Sequence, residues 1–365
     1  MSDEPHGDHQ ASGITRRSLI KTSIAGSLAA PVLFGARAAG ASAAFENLKV
    51  APVYFPLDPA TFTPQVNLHS KLAVVTGASR GNGRAIGEAL SALGVDVIGT
   101  SRNPAGVPNP PAFPLLALDV ADPASVSGFA SVLAAHPLVR RRGAVDILVN
   151  NAGRFVFGEI VPLSAANVAF YSAQRDLAVR TLYSGHVMMT NVILPLMPTR
   201  GYARIIFTVS IASYYTGATL PGSSGIDTYS AQKAALRVYA NNLAAALGEA
   251  GSNIRVSTVN PYVMNTALAQ HPNPIYTQPV NANGLSDTDQ RFNAAVTGVR
   301  QLLANGQPPG RVGDTYGQLL RMNDPNPNVA VASTNPALAA QGANALIEPQ
   351  LLAENRLSAI PLDTV

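Results

Sequence analysis

From Lys71 onward the chain alternates short apolar runs with longer stretches of helical periodicity. Leu72-Ala73-Val74-Val75 is an apolar run closed by a turn signal, which predicts a buried strand. Arg84 to Leu93 repeats its apolar positions at helical spacing, and Val95 to Thr100 predicts a second strand. Phe113 to Val120 follows as a third strand and Ala124 to Ala135 as a helix. The fourth strand is Val145 to Val149, followed by a long helical stretch from Ala166 to Met197. Arg204 to Val209, a helix from Tyr229 to Glu249, and Ile254 to Val259 continue the alternation, with Asn328 to Ala332 as a seventh strand. Apolar strands alternating with helices predict an α/β fold: a doubly wound parallel sheet covered on both faces. The predicted organisation is one domain over 71–332, an N-terminal arm over 44–70 and a C-terminal extension over 333–365.

The flanks carry different patterns. Thr15-Arg16-Arg17-Ser18-Leu19-Ile20-Lys21 resembles a twin-arginine export signal. An uncharged, moderately apolar stretch from Thr22 to Gly35 comes next, too short to span a bilayer, so no stable membrane insertion is expected. Ala41-Ser42-Ala43 is a plausible cleavage site and Ala36-Arg37-Ala38 a second, making residues 1–43 a signal peptide. The expected location is periplasmic or otherwise exported, and cytoplasmic if the signal does not function. Residues 44–70 hold several prolines and aromatics (Phe45, Tyr54, Phe55, Phe62), the texture of an arm packed on the domain or a partner subunit, or of a plain linker. The extension is rich in Pro, Ala, Asn and Gln and is expected to wrap the surface or reach a neighbouring subunit.

Composition narrows the chemistry. The 365 residues are 47% hydrophobic and 13% charged, which argues against disorder and supplies a full core. A net charge of +4 without a clustered basic face gives no reason to expect nucleic acid as a partner. The chain has no cysteine, which excludes disulfides and thiolate chemistry, and its histidines (His6, His9, His69, His136, His186, His271) show no metal-ligand spacing. No metal site is expected. Lysine occurs only at Lys21, Lys49, Lys71 and Lys233, so Lys233 stands out in an arginine-rich chain.

Between the first strand and the first helix lies Thr76-Gly77-Ala78-Ser79-Arg80-Gly81-Asn82-Gly83. Glycines there permit a tight turn and close approach of backbone to a pyrophosphate, and the helix start offers free N–H groups to phosphate. The spacing resembles the TGxxxGxG motif of the classical short-chain dehydrogenase/reductase family, whose fold is Rossmann-like. Further segments fit the resemblance from about Lys71 to Thr266: Leu118-Asp119-Val120, Asn150-Asn151-Ala152-Gly153, and Asn260-Pro261-Tyr262-Val263-Met264-Asn265-Thr266. The resemblance implies cofactor contacts from Gly77, Ser79, Arg80, Gly81, Asn82, Gly83, Asp119, Val120, Asn151, Ala152, Gly153, Pro261, Val263 and Thr266. An NAD site would place an acid at the end of the second strand. That end reads Gly99-Thr100-Ser101-Arg102, and Asp96 lies at the opposite end, so Arg80 and Arg102 favour NADP(H) over NAD by clamping a 2′-phosphate.

Tyr229-Ser230-Ala231-Gln232-Lys233 puts a phenol and an ammonium four residues apart, on one helix face. The ammonium, with the positive nicotinamide ring, is expected to lower the phenol pKa and make Tyr229 a general acid/base. The family resemblance adds a second role for Lys233, holding the ribose hydroxyls, and makes Ser210 the donor to the substrate oxygen, with Ser213 as the alternative serine. The expected activity is hydride transfer between the nicotinamide of a tightly held NADP(H) and a small carbonyl or alcohol. The expected assembly is a homo-oligomer, dimer or tetramer. One position departs from the family: Leu182 stands where an asparagine completes a proton relay, leaving the register, a water or His186 as substitutes, or an impaired relay. That departure keeps a non-catalytic NADP-binding sensor or scaffold as the alternative. A substrate loop is expected over 267–311.

Overall fold

The computed structural model describes residues 53–55, 57, 60, 62–155, 165–214, 227–266, 268, 301, 303–325 and 327–331. The expected signal peptide, the C-terminal extension and most of the expected substrate loop lie outside the described residues. Val50–Val365 forms one compact unit; the other unit, Met1–Lys49, holds no described residue.

Eight parallel strands form one sheet: β1 (Val53–Phe55), β2 (Leu72–Val75), β3 (Asp96–Ser101), β4 (Leu115–Ala117), β5 (Ile147–Asn150), β6 (Ala203–Thr208), β7 (Ile254–Pro261) and β8 (Asn328–Val331). Their spatial order is β1-β8-β7-β6-β5-β2-β3-β4. The order reverses between β2 and β5, which pair directly through Ala73 with Ile147 and Val75 with Val149. Open α/β sheets bind ligands at the carboxyl ends of the strands beside such a reversal.

The helices are α1 (Gly81–Ala92), α2 (Pro123–Ala135), α3 (Pro137–Arg142), α4 (Ala165–Val179), α5 (Gly185–Ile193), α6 (Asp227–Glu249) and α7 (Gly310–Leu319). Local chemistry starts several of them. Asp122 accepts from the Ala124 N–H ahead of Pro123, so α2 begins with a side-chain cap and a proline preset for the first turn. α3 repeats the device with His136 and Pro137 and stops at Gly143, whose φ is 79°.

Strand residues alternate between two cores. Leu72, Val74 and Ile98 face α2, α5 and α6, while Ala73, Val75 and Val97 face α1 and α7. A Cβ at Gly313 of α7 would sit 2.7 Å from the Ala85 carbonyl oxygen of α1 and 3.0 Å from the Ala89 Cβ. α7 therefore lies against the helix that opens the glycine turn.

Three features correct the sequence expectations. The stretch from Ala166 to Met197 is not one helix: α4 passes through a π turn at Arg180–Ser184 into α5, then a 3-10 turn at Leu194–Leu196. The third strand is shorter than expected, Leu115–Ala117, with the Pro114 carbonyl and the Leu118 N–H making the last hydrogen bonds to β3 at either end. Within the expected arm, Val53–Phe55 is an eighth strand paired with β8. That segment is also tied to α7, where the Leu57 N–H donates to Gln318 Oε1 (2.6 Å) and Gln318 Nε2 donates to the Leu57 carbonyl (2.9 Å).

Candidate active site

The carboxyl ends of β2 and β5 are joined by one hydroxyl. Thr76 Oγ1 accepts from the N–H groups of Asn151 (2.8 Å) and Ala152 (2.9 Å) and donates to the Val149 carbonyl (3.3 Å). Asn151 Nδ2 donates back to the Thr76 carbonyl at 2.9 Å. This lattice locks the turn after β2 to the turn after β5, with Gly77 at φ +67° and no room for a side chain, since a Cβ there would lie 2.8 Å from Ala152 Cα. Gly83 is equally closed, facing the Gly77 carbonyl and the Asn151 amide. The structure thus brings Gly77, Gly83, Asn151 and Ala152 together, and adds Thr76.

The start of α1 is built to receive an anion. Arg80, its N-cap residue, makes no side-chain cap, so the first-turn N–H groups lack a side-chain acceptor there. Asn82 Oδ1 is buried without a hydrogen-bond partner among the described residues. Thr266 lies over Gly81, its Cγ2 3.5 Å from where a Cβ would be. The segment holding Pro261, Val263 and Thr266 is pinned at its base: the Asn265 N–H donates to the Gln307 carbonyl (2.7 Å), and the Gln307 N–H to the Val263 carbonyl (2.9 Å). Glycine cradle and uncapped helix start together fit a dinucleotide pyrophosphate.

Beyond the phosphates, Arg80 and Arg102 are both exposed, and neither forms an ion pair with the described residues. Asp96 is spent at the far end of β3, on Arg141 (2.9 Å) and Arg142 (2.6 Å). Asp119 follows β4 and accepts from the Ala121 N–H at 2.9 Å, which shapes the turn through buried Val120.

The reacting residues converge at the end of β6. Tyr229 and Lys233 are buried on one face of α6, 7% and 3% exposed, with the Lys233 Nζ 5.9 Å from the Tyr229 ring centroid. Lys233 Nζ donates to the Thr208 carbonyl at 2.8 Å. Ser210 hydrogen-bonds the Tyr229 phenol, and its Oγ accepts from the Ala212 N–H at 3.1 Å. Ser213 is buried and does not take this role. Gly153 lies beside Leu182, and Leu182, Ala178, Ala212 and Phe155 form the apolar cluster around Tyr229.

Burial dominates the electrostatics of both Tyr229 and Lys233. Burial pushes the Tyr229 phenol up to about 12, against the smaller lowering effect of the Ser210 hydrogen bond. Burial pushes Lys233 down to about 7. Lys233 is turned toward a backbone carbonyl, and the Tyr229 phenol is shifted by its burial and by Ser210. Behind it, His186 is fully buried on α5 and held at about 3, by burial first and then by the Lys233 charge.

Sequence reading missed Phe155, whose ring stacks on Tyr229 with centroids 4.7 Å apart and planes at 28°. Its only signal was its place two residues after Gly153. Tyr262, within the 260–266 segment, is half-buried, and His271 lies outside the described residues.

The sequence model of the family described as short chain dehydrogenase matches residues 71–275. A relative from Anopheles gambiae, "Dehydrogenase/reductase SDR family protein 7-like", is 33% identical over 221 residues, covering 56% of this chain and 62% of that protein. The Escherichia coli 3-oxoacyl-[acyl-carrier-protein] reductase FabG is 30% identical over 212 residues, covering 56% of this chain and 78% of its own. Two solved short-chain dehydrogenases share the fold. The one from Burkholderia cenocepacia, in complex with NADP, has a TM-score of 0.52 and 23% identity, covering 73% of this chain and 98% of its own. The one from Burkholderia phymatum, in complex with NAD, has a TM-score of 0.59 and 21% identity, covering 79% and 96%. Matched by that family's model across more than half its length, the chain belongs to the short-chain dehydrogenases.

Proposed function

We propose that the chain is an NADP-dependent oxidoreductase acting on a small carbonyl or alcohol. The observation that carries the reading is the hydrogen bond between Ser210 and the buried phenol of Tyr229 at the carboxyl ends of the strands, beside the glycine cradle. Bound there, the nicotinamide would supply or accept the hydride. The chain's own residues do the rest. Ser210 orients the phenol and the substrate oxygen, and stabilises charge that develops on that oxygen. Tyr229 exchanges the proton with the same oxygen. Lys233, anchored on the Thr208 carbonyl, is placed to hold ribose hydroxyls. The exposed guanidinium groups of Arg80 and Arg102, and the commitment of Asp96 elsewhere, support a 2′-phosphate over a bare ribose.

A second reading, a non-catalytic NADP-binding sensor or scaffold, is favoured by Leu182, an apolar residue in the buried cluster that holds Tyr229. One experiment separates them. Affinities for NADPH and NADH are measured by fluorescence, then turnover on a panel of aldehydes and ketones, for wild type and Tyr229→Phe. The expected outcome is tighter binding of NADPH, and turnover that falls by about a thousandfold or more in the variant while NADPH affinity is kept. Tight NADPH binding without turnover on any carbonyl supports the sensor. Equal or tighter NADH binding removes the NADP assignment.

Export belongs to the same proposal, on the sequence of residues 15–43. Since reduced nucleotide is not regenerated outside the cytoplasm, the exported protein would carry its nucleotide with it, and native mass spectrometry of protein from the cell envelope should find it bound.

A further inference from the structure

We infer that Tyr316 is a positioning residue for the reacting lysine: from the opposite face of the sheet its hydroxyl fixes Thr208, the residue whose carbonyl anchors Lys233. The inference rests on the oxidoreductase reading above, in which Lys233 holds the nucleotide ribose, and adds to that site a side chain from α7.

Thr208 is the last residue of β6 and stands between two helical layers. Along this strand Ile205, Phe207 and Val209 face the core under α5 and α6, while Ile206 faces the core under α1 and α7. By alternation the Thr208 side chain points with Ile206 toward α7. There its Oγ1 lies 2.7 Å from the Tyr316 hydroxyl. Its carbonyl serves the other layer and accepts from Lys233 Nζ at 2.8 Å. Tyr316, Thr208 and Lys233 thus form one line of contacts through the sheet, from a helix that packs on α1 to the helix that carries Tyr229.

The anchor lies where the ladder gives out. β5 pairs with β6 only as far as Asn150 with Phe207. The N–H groups that follow in the chain, those of Asn151 and Ala152, go to Thr76 Oγ1 instead. On the other side the Val209 N–H still reaches the Val259 carbonyl at 2.8 Å. The Thr208 carbonyl is therefore left to Lys233, at a strand end held by β7 on one side only. A hydrogen bond to the Thr208 side chain is the restraint that such an end lacks.

Tyr316 supplies it from a place where a hydroxyl is costly. It is wholly buried, the bulkiest side chain that is, and its ring belongs to the apolar core with Val75, Ile86 and Val259. A phenylalanine would fill the same space. The hydroxyl adds its bond to Thr208, and without a partner it would be destabilising there. Burial pushes the phenol up, so the group stays a neutral hydroxyl at neutral pH. With that bond lost, the Thr208 carbonyl can turn and the ammonium of Lys233 leaves the place from which it reaches ribose. Nucleotide affinity is the first quantity to suffer.

The test uses the full chain, with Kd for NADPH read from its fluorescence and a melting temperature for each variant. Tyr316→Phe should raise the Kd by about threefold to tenfold, the worth of one hydrogen bond. Thr208→Val combined with Tyr316→Phe removes both hydroxyls. It should recover much of the melting temperature lost in Tyr316→Phe, since neither partner is then left unpaired, while the Kd stays raised. In a Lys233→Met background, Tyr316→Phe should leave the Kd where Lys233→Met has put it, because the two act through one contact. A Kd in Tyr316→Phe equal to that of wild type, an affinity that returns together with the melting temperature in the paired variant, or the same rise in Kd with and without Lys233 would each overturn the inference and leave Tyr316 a packing residue. Failure of the underlying reading has a different signature: Lys233→Met itself binding NADPH as tightly as wild type.

Discussion

At the scale of single residues the site is a set of buried ionisable groups held away from their ordinary values. His186 is the most exacting. It is held at about 3 against 6.5 by burial and by Lys233. Between those values the unfolded chain binds a proton that the folded chain refuses. Stability therefore falls as pH drops through that window, by up to about 1.4 kcal/mol per unit. His186→Met removes the penalty, so its melting temperature should fall less steeply than that of wild type between about pH 7 and pH 4. Parallel slopes would show that the imidazole finds a proton acceptor or solvent in the folded state. Much of the chemistry was legible here. Tyr229 and Lys233 announce themselves by spacing on one helix face, and Ser210 by its place at a strand end. Phe155, Thr76 and the Thr208 carbonyl did not, because each acts through a contact with residues distant in sequence. The burial of Lys233 was not legible for a related reason: spacing shows that an ammonium is near, but not that it is buried and turned to a carbonyl.

At the scale of elements, the strands and long helices followed from periodicity alone, and the exceptions share a cause. α7 carries Gly310, Gly313 and Gly317 within ten residues, which is poor material for an isolated helix. It forms because Gly313 and Gly317 let it lie on α1 and on Leu93 at the end of that helix, so tertiary packing overrides local preference. The π turn was equally invisible, since one extra residue in a helix leaves no mark in hydrophobic spacing. The α1–α7 contact yields a test. An added methyl at Gly313 meets the Ala85 backbone oxygen at 2.7 Å, an atom that cannot rotate away. Gly313→Ala should cost about 1–3 kcal/mol by overpacking, seen as a melting temperature lower by several degrees. Because α1 opens the phosphate turn, the Kd for NADPH should rise with it. A variant as stable as wild type with unchanged affinity would mean that the two helices separate freely.

At the scale of the whole molecule, the question is how an eight-stranded parallel sheet protects its edges. An open edge presents unpaired N–H and C=O groups to any other strand. One edge, β4, is only three residues long. The other would be β8, whose partner β7 covers one side only. β1 takes the second side, pairing Val53 with Val329 and Phe55 with Val331. The chain leading away from it is stapled by Gln318 to Leu57 and by the Arg321 carbonyl to the N–H groups of Gln65 and Val66 at 2.8 and 2.9 Å. Three residues of strand are too few to announce themselves by alternation, and their reason for being extended lies nearly three hundred residues downstream. The segment read as an arm or linker thus finishes the sheet. Two shortened chains separate these roles, one beginning at Ala44, which keeps β1, and one beginning at Phe62, which lacks it. The chain from Phe62 should melt several degrees lower than the chain from Ala44 and associate on light scattering at matched concentration, because the edge of β8 is then open to another copy. Its binding of NADPH per folded molecule should be nearly unchanged, since the cradle lies across the sheet on β2 and β5. Identical melting and identical scattering for the two chains would make β1 an ornament of the fold rather than the cover of its edge.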